Sequence, residues 1–170
     1  MILYHGSNVE IFVIDLGFSV PYKDFGRGFY LTTLRDQAEK MALRTSKFRG
    51  GEPWVTSFEV PDDILTRPDL NVRIFNEVSE EWARFIINNR NRKFNDTESP
   101  DCNSDGKYDV VYGPVGNDDV TFLLRQFTRG FIDETALKKG LAYKKASDQY
   151  SFHTQRAIAL LKKVGAWHVS

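Results

Sequence analysis

The chain has 170 residues, 41% of them apolar, with 13 Phe, 7 Tyr and 3 Trp to fill a core, enough for one domain spanning residues 1–170. Lys plus Arg equals Asp plus Glu at 23 each, so no global charge draws the protein to nucleic acid or to an anionic membrane. Cys102 is the one cysteine, which excludes an internal disulfide, and no apolar run nears the roughly 20 residues of a membrane span.

In chain order, residues 2 to 5 predict a buried strand. Residues 8 to 26 lack a clean period and read as a long loop over a site. A second strand is expected over 28 to 32. Thr33 then starts a helix, with Asp36 completing a capping box, that runs to about Lys47 and stops before Gly50-Gly51. Strands follow at 54 to 60 and 71 to 75. Ser79 to Arg90 is helical, with Trp82, Phe85 and Ile86 on one face as core. Residues 91 to 107 are polar and rich in turn formers, which predicts a mobile surface loop with Cys102 as an incidental surface thiol.

Tyr108 to Tyr112 is a strand that breaks at Gly113-Pro114. Helices are expected from Asp118 to about Gln126 and from Glu134 to Lys145. Gln149 to Phe152 is a strand with Tyr150 and Phe152 toward the core and Gln149 toward a cleft. Asp148 then faces away from Gln149. Thr154 caps a helix to Lys163, beside a surface His153, and a short strand over 166 to 169 closes the chain. Strands and helices mix irregularly, without repeats, which predicts a single α+β domain. The N-terminus shows no basic start followed by a long apolar stretch, so a cytoplasmic protein without a signal peptide is expected.

Two pieces carry the chemistry. Leu3-Tyr4-His5-Gly6-Ser7 and Phe25-Gly26-Arg27-Gly28-Phe29-Tyr30 each join an apolar run to glycines and a ring. Gly6, Gly26 and Gly28 are read as places where a ligand approaches the backbone. Tyr30 offers a flat face and His5 a ring nitrogen, so together they predict a cleft for a planar, hydroxyl-rich ligand. The three histidines are widely spaced and no Cys-x-x-Cys occurs, so no metal site is expected. Asn117 and Asp118, in the turn after Gly113-Pro114, are candidates for the border of an acceptor site.

His-Gly-Ser after a strand, Phe-Gly-Arg-Gly-Phe-Tyr before a helix and a late strand with Gln149 resemble the ADP-ribosyltransferase superfamily. The resemblance is to the diphtheria-toxin and poly(ADP-ribose) polymerase branch with its His-Tyr-Glu triad, and more narrowly to a small bacterial family within it. It implies split mixed and antiparallel sheets around an NAD cleft with flanking helices. It implies that His5, Tyr30 and Gln149 are catalytic. His5 would bond the adenosine ribose, Gly6 the nicotinamide carboxamide, and Tyr30 would stack on the ring. Gln149 would stand in the place of the glutamate. Ser7, Arg27 and Gly28 would join the NAD site, with Arg27 at a phosphate. Ala38 and Met41 take the places where the polymerases carry a serine and a tyrosine against nicotinamide.

The resemblance implies a mono-ADP-ribosyltransferase that uses NAD as substrate and releases nicotinamide, since members without the glutamate resemble mono-transferases rather than chain builders. The acceptor is an unknown macromolecule, with protein favoured over nucleic acid by the neutral charge. By analogy it is a bacterial toxin with a cognate antitoxin. Gln149 can accept a hydrogen bond from a ribose hydroxyl but supplies no negative charge. A non-catalytic module that binds NAD or ADP-ribose, and an NAD glycohydrolase, are the alternatives.

Overall fold

A computed structural model describes residues 1–115, 118–142 and 147–170. Two open sheets form the frame. The first has three antiparallel strands in the order β1 (Ile2–Ser7), β3 (Trp54–Glu59), β7 (Lys162–His168). The second has four, in the order β2 (Phe29–Leu31), β6 (Asp148–Phe152), β5 (Val110–Pro114), β4 (Val72–Ile74), with β4 and β5 parallel and the other pairs antiparallel. Their edges meet at one antiparallel bridge, Tyr4 to Thr32, closed by backbone bonds of 2.8 and 3.0 Å. The mixed α+β class follows directly from this arrangement.

Alternation along the strands sorts side chains between two cores. Leu3, Phe29, Leu31, Phe58, Tyr150 and Phe152 fill the space between the sheets. Tyr150 and Phe152 therefore enter the core as the sequence predicts. On the far face of the larger sheet, Phe25, Phe75 and Val111 pack under α2 (Glu80–Arg90), α3 (Asp118–Thr128) and α4 (Glu134–Ala142). Trp82, Phe85 and Ile86 supply the α2 stripe, each fully buried. Helix α1 (Arg35–Arg49) lies on the small sheet through Ala38 and Ala42 against Val55. Trp167 fixes its outer edge by donating to Glu39 at 3.1 Å while the Arg35 guanidinium sits 4.4 Å from the indole centroid.

Several local expectations change. Leu34, not Thr33, is the N-cap of α1, and Thr32 replaces the capping box: its hydroxyl accepts from the Leu34 N–H and donates to Gln37. Strand β5 does not break at Gly113-Pro114 but continues through both, pairing them with Gln149 and Asp148. The helix after Thr154 is one turn, α5 (Gln155–Ile158), because the chain then leaves to form β7 beside β3, a strand longer than the sequence indicates. Residues 91 to 107 contain no regular element, yet Cys102 and Asn103 are 1% and 2% exposed, so the thiol is interior. Asn89 on α2 accepts from the Asn103 N–H, and Asn103 in turn accepts from the Tyr108 N–H, each at 2.9 Å. Asn117 and the expected helix end at Lys145 lie outside the described residues; Asp118 opens α3.

Candidate functional site

The two motifs come together where the sheets part. Beyond the Tyr4–Thr32 bridge, β1 and β2 diverge. Tyr4 turns its backbone groups to Thr32, and the alternation of an antiparallel strand turns those of Gly6, two residues on, toward the same opening. The carbonyl of Tyr30 also faces that gap. Instead of a strand partner it has His5, whose Nδ1 lies 2.7 Å away. A carbonyl only accepts, so Nδ1 carries the proton. Burial keeps the imidazole neutral, lowering its pKa to about 4 against the raising effect of the Tyr30 bond. The Nε2 of His5 is then an acceptor. Phe29 stacks on the same imidazole with centroids 4.3 Å apart.

A cleft of about 870 Å3 opens here, lined by His5, Gly6, Tyr30 and Gln149 and by the loop from Asn8 to Asp24. That volume lies in the range of ligand pockets. Ser7, Gly28, Ala38 and Met41 also line it. Arg27 does not: it is exposed and its Nη1 reaches the Gly17 carbonyl at 3.4 Å. Gln149 has a buried Nε2 without a hydrogen-bond partner. Tyr30 is held at its far end, where its hydroxyl donates to the Gly26 carbonyl at 2.6 Å and accepts from the Phe25 N–H at 3.1 Å. Burial pushes that phenol well above its ordinary pKa. Asp148 accepts from the Tyr112 hydroxyl at 2.6 Å and is exposed, while Gln149 lines the cleft.

The glycines have packing reasons that the sequence reading assigned to a ligand. A β-carbon on Gly6 would overlap the Ala38 carbonyl oxygen and lie 2.8 Å from the Ala42 nitrogen, so Gly6 is what lets α1 touch β1. On Gly28 it would fall 2.6 Å from Nδ1 of His153. Gly26 has φ of +90°, a left-handed conformation that suits glycine. His153 is likewise not at the surface. It is 8% exposed, donates from Nδ1 to the Arg27 carbonyl at 2.7 Å and has the Ser151 hydroxyl 2.8 Å from Nε2. Burial lowers its pKa to about 4.

Two further residues escaped the sequence reading. Asp109, fully buried, accepts from Arg156, Thr154 and the Asn71 N–H; burial raises its pKa, and these bonds together outweigh that and hold the carboxyl below its usual range. It ties the start of β5 to α5. Lys23 sits with Nζ 4.7 Å from the centroid of the Tyr30 ring. The residue before it, Tyr22, has φ of +64°. No local pattern marks either residue: the partners of Asp109 are distant in sequence, and the contact of Lys23 with Tyr30 is made by a turn of the loop.

The loop wall has few ties. Ser19 Oγ donates to the Gly28 carbonyl at 2.6 Å and accepts from its N–H at 3.0 Å. Arg90 on α2 holds Asp24 at 2.6 Å. Ile11 donates to Thr56 Oγ1 at 3.2 Å. Phe12, Val13 and Phe18 are 75%, 81% and 87% exposed beside these ties. Among the described residues no His, Cys, Asp and Glu side chains group to hold a metal ion, and no helix is long and apolar enough to cross a membrane.

Residues 1–163 match the family described as "Protein of unknown function (DUF3990)", and the chain belongs to that family. No curated protein and no solved structure matches it.

Proposed function

We propose that the protein is an NAD-dependent mono-ADP-ribosyltransferase, with the split between the sheets as its NAD cleft. One observation carries the reading: the His5 to Tyr30 bond brings the two glycine-flanked motifs to one opening, with Gly6 backbone groups turned into it and Gln149 in its wall. In this reading Gly6 grips the nicotinamide carboxamide, Tyr30 stacks on the ring and the unprotonated Nε2 of His5 accepts from the adenosine ribose. Gln149 accepts from a hydroxyl of the nicotinamide ribose.

The chemistry suits such a site. The bond between nicotinamide and ribose breaks with its electron pair going to the ring, which leaves neutral. The sugar carbon becomes positive until the acceptor's nucleophile bonds to it and sheds a proton. A fixed amide, a stacked ring and oriented ribose hydroxyls lower that barrier by positioning. A bacterial, cytoplasmic toxin with an antitoxin and a protein acceptor is the setting that the resemblance favours.

Binding of NAD or ADP-ribose without turnover is the second reading, and one observation favours it. Each carboxylate lining the cleft is engaged elsewhere: Glu10 with Lys163 at 2.5 Å, Asp15 with the Gly17 N–H at 2.7 Å and Asp24 with Arg90. None is left to serve as a base. Incubation with adenylate-labelled NAD and cell lysate separates the cases. The transferase yields free nicotinamide and labelled macromolecule, both lost in His5→Ala and Tyr30→Ala. Nicotinamide without label identifies a glycohydrolase, and calorimetric NAD binding with neither identifies a binding module. Gln149→Glu is expected to raise turnover by roughly tenfold or more. An unchanged rate would remove residue 149 from the site.

A further inference from the structure

The cleft holds positive charge that no ion pair answers among the described residues. Lys23, Arg44 and Arg49 all line it. None of the three makes an ion pair or a side-chain hydrogen bond among the described residues, whereas the lining carboxylates Glu10, Asp15 and Asp24 all have partners. Lys23 rests on the Tyr30 ring. The charge of Arg49 reaches it: burial first and Arg49 second lower the Lys23 pKa, with Asp24 acting the other way. Two cations brought together in a half-buried cleft repel each other until an anion lies between them. Arg27, the arginine that the sequence offers for a phosphate, is outside the lining.

We propose that Lys23 and Arg49 form the subsite for the diphosphate of the bound dinucleotide, and that Lys23 leaves the Tyr30 ring to reach it. The proposal rests on the NAD reading. The ammonium lies over the ring on which nicotinamide would stack, so both cannot occupy that face. A dinucleotide resolves the conflict itself, because its phosphates draw the ammonium away while its other end takes the vacated aromatic face. Free nicotinamide has no phosphate and must displace the lysine unaided. Lys23 is thus a specificity-determining residue that favours the intact dinucleotide over its fragments.

Calorimetry with four probes tests this: inorganic pyrophosphate, ADP-ribose, adenosine and nicotinamide, against wild type, Lys23→Met and Arg49→Met, with Lys23→Arg as the charge-retaining control. Pyrophosphate and ADP-ribose are expected to weaken by roughly tenfold in each methionine variant, the loss of one charge-assisted bond. Lys23→Arg retains most of that affinity. Adenosine is unchanged, and nicotinamide binds Lys23→Met at least as tightly as wild type. Arg49 is exposed, so its variant reports on binding even where a Lys23 variant disturbs the loop. Unchanged pyrophosphate and ADP-ribose affinities in both methionine variants, or no pyrophosphate binding to wild type, would overturn the subsite while leaving the NAD reading standing. Pyrophosphate binding that depends on both residues, with no binding of ADP-ribose, adenosine or nicotinamide, would overturn the dinucleotide as its ligand.

Discussion

The two walls of the cleft are built on opposite principles. On the sheet wall nearly every polar group is answered within the chain. Tyr30 bonds at both ends, His5 is fixed by a carbonyl and a stacked ring, and Gly6 is pressed against the backbone of α1. On the loop wall a few bonds hold residues 8 to 24, Phe12, Val13 and Phe18 are exposed at the cleft, and Lys23 has no ion pair among the described residues. The difference shows where shape is set before a ligand arrives and where it is completed afterwards. A rigid wall can orient reacting atoms, whereas a loosely tied one can close over them.

Substitutions should grade accordingly. Gly6→Ala breaks the sheet wall outright: the new methyl meets α1 backbone, which has no flexible end to yield, and a loss of roughly 3 kcal/mol or more is expected in urea unfolding. Acid attacks the same wall. His153 has a pKa of about 4 when folded against 6.5 when unfolded, so the unfolded chain binds the extra proton between those values. The histidine contribution to stability should be fully present above about pH 6.5 and be lost as pH drops toward 4, by roughly 3 kcal/mol for His153, with His5 adding in the same direction. His153→Gln should flatten part of that slope in urea midpoints measured across pH.

Tyr30→Phe sharpens the contrast. It removes the bonds to Phe25 and Gly26 but keeps the ring, so it should cost about 1–2 kcal/mol in stability while NAD binding survives. Tyr30→Ala should lose both. On the loop wall, Ser19→Ala leaves the Gly28 N–H unanswered and should cost about 1 kcal/mol. Phe18→Ser, at a side chain 87% exposed, should change the unfolding free energy least of all, within about 0.5 kcal/mol in urea unfolding.

The sequence made one half of this legible. The α2 stripe, the inward Tyr150 and Phe152 and the approach of His5 to Tyr30 could be anticipated because periodicity and local motifs carry them. Glycines were visible but their reasons were not, since the Ala38 carbonyl and the His153 ring that exclude a β-carbon come from elsewhere in the chain. Thr33 does not cap α1, because Leu34 takes that position and Thr32, bonded to the Leu34 N–H and to Gln37, holds the turn before it. The burial of His153, Cys102 and Asp109 was unreadable for the same reason. Polar residues look external until a distant partner answers them, as Arg156 does for Asp109 and Asn89 for the segment around Cys102. Nothing in the sequence marks Lys23, because an isolated lysine in a loop has no pattern.

The Tyr4–Thr32 bridge has a mechanical consequence. A continuous sheet resists bending along every rung of its ladder, but here the two sheets share one backbone rung, reinforced by the His5 imidazole beside it. Parting the sheets about this point would break that rung and shear the side chains packed between them, while leaving both ladders intact. The amides of Tyr4 and Thr32 are therefore natural gauges of aperture, and hydrogen exchange at those two positions, compared with Val55 or Ser151 inside the sheets, would measure how often the jaws part and whether a ligand stills them.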